Sequence, residues 1–284
     1  MVAEVIAVFA AVHVGYRAFK RFTPMGHWES DSGLNFSPGV FMIATSLLIL
    51  LLLRRKPSDF GLVFTRWREH VPVGLVLGVT AALGSVAIVV LGRFQITPGK
   101  PPPDGLALIG AGGELALSLV MLVLLRRDQG HIARFPRWLT CLAFASICTM
   151  LPALAAFVHK PIGHALALTM ELLVCAGFGE EVFFRGYMQS RVNMAFGTPW
   201  RLLGVDFGPG LVISATMFGI IHALNTADYF VGRFDVAWAW GLMNVCNGLC
   251  LGLLRERTRS VLASSVAHAT TNMFLQLPQF LPRH

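Results

Sequence analysis

Residues 163–188 read GHALALTMELLVCAGFGEEVFFRGYM. The stretch is long and apolar enough to cross a bilayer, because about 20 mostly apolar residues in a helix span the hydrocarbon core. Near its end Glu180 and Glu181 stand side by side, with Arg185 one helical turn further on. Ionisable groups inside a membrane segment cost a few kcal/mol each on insertion scales, so they face a cavity, a partner or a reaction. Two adjacent carboxylates with one nearby cation are hard to explain as packing. The stretch identifies a membrane chain and marks where its chemistry is expected.

The rest of the chain agrees with a membrane reading. Apolar residues make up 55% and charged residues 13% of it, against about a quarter charged in a soluble domain. Further apolar runs cover 38–53, 72–92, 105–125, 137–157, 209–224, 234–254 and 259–278, with 2–19 as a candidate ninth segment. The expected fold is therefore all-α, a polytopic transmembrane helical bundle of about eight or nine spans. Intramembrane polar groups gather in the last four spans. This divides the membrane domain into a scaffold half, 1–160, and a working half, 161–284.

A net charge of +8 does not point to nucleic acid, because the basic residues alternate between loops as the positive-inside rule requires. Arg54, Arg55, Lys56, Arg66 and Arg68 share one loop; Arg126, Arg127, Arg134 and Arg137 share another. Arg191 and Arg201 lie in a third, and Arg255, Arg257 and Arg259 in a fourth. Between them come only Arg93 and Lys100, then Lys160, then Arg233. The dense loops are expected to be cytoplasmic. Arg17, Lys20 and Arg21 break the pattern, which leaves the first segment to lie in the interface or to defy the bias. That segment also lacks the basic start of a secretory signal. Cys141, Cys148, Cys175, Cys246 and Cys250 all fall in apolar spans and form neither a CxxC pair nor a disulfide framework. The excess of Arg over Lys with abundant Ala, Val and Leu suggests a GC-rich bacterial genome, and so an inner-membrane protein.

Residues four apart share a helical face. Three such polar pairs stand in three spans: Glu181 with Arg185, Phe218 with His222, and His268 with Asn272. At about 1.5 Å of rise per residue, Glu180 and His268 lie roughly 12 to 13 Å from the dense end of their helices. His222 lies deeper, roughly 20 Å from Pro209. Glu114 and Glu171 are isolated intramembrane carboxylates, read as structural or cavity-facing. Asn244 and Asn247 are read as packing. His13, His27, His70, His131, His159, His164 and His284 are assigned no role.

The order Glu-Glu-x-x-x-Arg, Phe-x-x-x-His, His-x-x-x-Asn resembles the three motifs of the CPBP family of intramembrane proteases. That family includes the type II CaaX prenyl endopeptidases and bacteriocin-processing and self-immunity proteins. The context is similar too: EEVFFRGY from Glu180, FGIIH from Phe218, and SVLASSVAHATTN from Ser260. The resemblance covers about residues 170–278. It implies an endopeptidase acting on a membrane-associated peptide or protein within the lipid bilayer.

On that resemblance, Glu180 is the general base that activates water, and Glu181 is occupied by Arg185. His222 holds the water or shuttles its proton, and His268 and Asn272 stabilise the oxyanion. Phe218 shapes the pocket. No cofactor is then required. The alternative is zinc on Glu180, His222 and His268, a carboxylate and two imidazoles that leave a position open, although no HExxH is present. Outside hydrolysis, a proton-coupled transporter would also use intramembrane Glu, His and Arg. No inverted repeat supports it, and the polar groups sit in one half. A catalytically idle scaffold has no use for Glu180.

Overall fold

The structure, a computed structural model, describes residues 1–92, 101–127 and 135–280. Arg93, Lys100, His131, Arg134 and His284 lie outside them. The helices are α1 Val2–Phe22, α2 Pro24–Ser32, α3 Phe36–Leu52, α4 Trp67–Gly92, α5 Asp104–Arg127 and α6 Arg137–Phe157. They continue with α7 Ile162–Phe196, α8 Pro209–Ala223, α9 Trp238–Thr258 and α10 Val261–Gln276. Every apolar run read from the sequence is a helix, and the fold is an α-helical membrane bundle. One departure is a two-stranded hairpin, β1 Trp200–Leu202 against β2 Val205–Phe207. It turns at Leu203 and Gly204, both with positive φ, the geometry that matches strand twist in a two-residue turn.

Among the described residues, α1, α5, α6, α7 and α8 with its extension to Thr226 are long and apolar enough to cross a membrane. Helix α3 is apolar but shorter. Helices α9 and α10 carry more polar residues because they are wrapped by protein: Val261, Ala263 to Thr271 and Met273 are all buried. Local signals set the ends. Pro209 occupies the first turn of α8, where its missing N–H has no partner to lose. Arg259, left-handed at φ 54°, ends α9. The Ser260 side chain then accepts the Leu262 N–H at 3.1 Å to start α10.

Segment α1 crosses the full height of the bundle. At one end Glu4 holds Arg191 through two hydrogen bonds of 3.0 and 3.1 Å, beside the end of α7. At the other, Arg17 donates to the carbonyls of Leu224 and Ala227, just past α8. Helices α7 and α8 are antiparallel neighbours, so these anchors lie at opposite faces. Between them Val5, Phe9, Val12 and Tyr16 join one core with Phe183, Phe184, Tyr187 and Met188 of α7 and Phe218 of α8. An interfacial α1 is thereby replaced by a transverse one. At the face opposite the dense basic loops, Arg17 is bound to the Leu224 and Ala227 carbonyls and Lys20 to Asn35 and Glu29.

Two close crossings fix α7, the helix with the paired carboxylates. A Cβ on Gly39 of α3 would stand 2.4 Å from the Cα of Cys175, and one on Gly177 would stand 2.7 Å from the Cβ of Ala269 in α10. Such contacts between small residues are how membrane helices approach closely. Gly177→Val is expected to push α10 off α7 and destabilise the fold by roughly 1–3 kcal/mol, the usual range for overpacking. Gly163→Ala, at a position with open space around it, serves as the neutral control. Thermal melting of both variants in detergent checks the difference, and equal melting temperatures would contradict the crossing.

Candidate active site

Over Glu171–Glu180 and Val182–Gln189 the α7 backbone opens into wide π-type turns. Such turns occur often at functional sites, because they rotate side chains off the regular helical face. Glu180 and Glu181 stand at their junction. Glu181 is fully buried, and one of its oxygens serves two partners. Oε1 lies 2.9 Å from an Arg185 guanidinium nitrogen and 3.0 Å from Nδ1 of His268. Arg185 is itself fully buried and lies 4.3 Å from the centre of the Phe218 ring, a cation over an aromatic face.

The three motif pairs are brought together. A carboxylate only accepts, so Nδ1 of His268 donates to Glu181 and Nε2 is turned toward Glu180, 3.9 Å from its Oε2. His222 donates Nδ1–H to the carbonyl of Phe218 at 2.7 Å, which leaves Nε2 with a lone pair to accept a proton or a hydrogen bond. The Phe218 ring packs 4.5 Å from His222 and 5.6 Å, edge-on, from His268. It is fully buried and links Arg185 to both imidazoles. Asn272, one turn beyond His268, lines the same space. Glu180 Oε2 is buried without a hydrogen-bond partner among the described residues.

Two cavities meet at Glu180 and His222. The larger, about 760 Å³, extends from them to a rim that includes Arg21, His27, Asp31, Asn225 and Phe230. The smaller, about 60 Å³, lies behind them and is lined by Glu114, Asn244, Asn247, His268 and Asn272. A cavity confined to the last four spans is thus too narrow an expectation, since α1, α2 and the start of α3 wall the larger one. Its mouth is at the end of the bundle opposite Arg54, Arg191 and Arg255. Helix α3 begins at the cavity, where Pro38 and Met42 line it, and runs away from it to its basic end.

Some residues given no role acquire one. His13 is buried in α1, with Nε2 2.9 Å from the Tyr229 hydroxyl and Nδ1 3.0 Å from that of Tyr16. It ties the 225–237 loop to the cavity wall. Burial raises the pKa of Tyr229, which keeps its hydroxyl a neutral partner. Glu114, read as structural or cavity-facing, and Asn244, read as packing, face the smaller cavity. Their facing depends on how helices α5 and α9 are rotated, which no spacing within one span reveals. Among the described residues no three His, Cys, Asp or Glu side chains stand close enough together to hold a metal ion.

Residues 161–274 match the model of the family described as Type II CAAX prenyl endopeptidase Rce1-like. The match contains all three motif pairs. No curated protein and no solved structure matches the chain.

Proposed function

We propose, for a chain whose residues 161–274 match the Rce1-like type II CAAX prenyl endopeptidase model, that it hydrolyses a peptide bond in a membrane-associated protein by a glutamate-activated water. The observation that carries this is the Glu180 carboxylate. Its Oε2 is buried, without a hydrogen-bond partner among the described residues, and faces His268 at the meeting point of the two cavities. A buried polar group with no partner costs stability, and a bound water satisfies it.

In this reading the substrate enters through the larger cavity and presents its scissile carbonyl at Glu180. Glu180 takes a proton from water while the water oxygen bonds to the carbonyl carbon, and the C=O electron pair moves onto oxygen. His222 orients the water through the lone pair on Nε2. The developing oxyanion accepts hydrogen bonds from the His268 imidazole, which Glu181 orients, and from the Asn272 side-chain amide. Collapse of the intermediate breaks the C–N bond, and Glu180 returns its proton to the leaving nitrogen. The products are a new carboxyl terminus and a new amine. Arg185 holds Glu181, and through it His268, without touching the reacting atoms.

The family description suggests a prenylated CAAX tail as substrate. The motifs suit equally a bacteriocin leader or the C-terminal sorting helix of a surface protein. Among the described residues no three His, Cys, Asp or Glu side chains gather as a ligand set, which favours the glutamate reading over zinc. Purified protein freed of metal by strong chelation is expected to keep its full rate on a farnesylated C-terminal peptide. Activity lost to chelation and regained with zinc would overturn the glutamate mechanism.

A further inference from the structure

We propose that Glu114 is a further residue of the active site, a positioning residue that holds water in the smaller cavity behind Glu180. The inference rests on the hydrolytic reading above and deepens it. Glu180 and His222 belong to the walls of both cavities. Substrate arriving from the open side occupies the larger one, so the attacking water must come from elsewhere or be trapped by the substrate. The smaller cavity, about 60 Å³, has room for roughly two waters, each with a liquid share of about 30 Å³.

Size alone does not make a cavity wet; it needs two to four polar partners per water. This one has them on every side. Glu114, a buried carboxylate in the middle of α5, comes from one wall. Asn244 comes from α9. Its amide nitrogen is engaged with the Trp240 carbonyl at 2.8 Å, which leaves its oxygen as an acceptor. His268 and Asn272 come from α10. Nothing in the hydrolytic step uses Glu114, which is buried in the wall of the smaller cavity. As an acceptor opposite Glu180, it takes one water hydrogen and turns that water's oxygen lone pair toward the substrate side.

The test combines two readouts on the full-length chain in lipid nanodiscs: high-resolution maps, and turnover of a farnesylated C-terminal peptide. The wild type is expected to hold ordered water within hydrogen-bond distance of both Glu114 and the Glu180 region. Glu114→Leu is expected to dry the cavity and lower kcat roughly 100-fold, the cost of a misplaced reactant. KM should stay within about twofold, since remote substrate binding is unchanged. Glu114→Gln keeps the hydrogen-bonding capacity and is expected to retain water and most of kcat. A dry cavity in the wild type, or a Glu114→Leu protein that folds and turns over at the wild-type rate, would overturn the inference. If the wild type cleaves no peptide, the hydrolytic reading fails, and the water maps of wild type and Glu114→Leu still decide what Glu114 holds.

Discussion

Glu180→Gln is expected to reduce kcat by about 10³-fold or more while leaving the melting temperature near that of the wild type. General base catalysis by a positioned carboxylate contributes about 10² to 10⁴-fold, and glutamine has the shape of glutamate without its basicity. The fold should tolerate the change because Glu180 carries no structural ion pair. Nε2 of His268 lies 3.9 Å from its Oε2, beyond hydrogen-bond distance, whereas Glu181 carries the buried ion pair with Arg185. Turnover of a farnesylated peptide, read with thermal melting on the same preparation, checks both halves. A variant that melts normally and still turns over would remove Glu180 from the mechanism.

The second large effect is on stability. Arg185→Met is expected to destabilise the protein by roughly 3–5 kcal/mol, because removing one partner of a buried ion pair leaves the other charge uncompensated. Both Arg185 and Glu181 are fully buried, and the guanidinium also covers the Phe218 ring. Glu181→Gln alone should weaken the fold and also the grip on His268. The double variant Glu181→Gln with Arg185→Met should be less damaging than the sum of the two, as replaced buried pairs often are. Denaturant titration of the three variants in detergent measures the coupling, and strict additivity would mean that the pair is not the structural unit proposed.

The sequence was informative where physics acts within one segment. Apolar length alone located the helices, from Val2–Phe22 to Val261–Gln276. The i, i+4 spacing alone placed Glu181 with Arg185 and His268 with Asn272 on shared faces. It was silent where the outcome depends on packing between segments. The bond from Glu181 to His268 joins residues 87 positions apart and has no local signature. The place of α1 was left between an interfacial segment and one that defies the charge bias, because its basic end reads against the loop charges. Its contacts with α7 and with the loop after α8 show a transverse wall of the cavity. Asn244 and His13 were passed over, and Glu114 was left between a structural and a cavity-facing role, for the same reason: an isolated polar residue in an apolar run has a facing direction only after the bundle is assembled. His222, read as far from the basic end, is indeed near the other end of α8. It meets Glu180 there because the cavity opens at that end.

The most direct test of the account is a map of protein termini in membranes of cells that carry the intact chain, the Glu180→Gln variant, or neither. The account predicts at least one new C-terminus, with its matching released fragment, that appears with the intact chain alone. Identical termini in all three, or a terminus that appears equally with the variant, would contradict a peptidase built on Glu180.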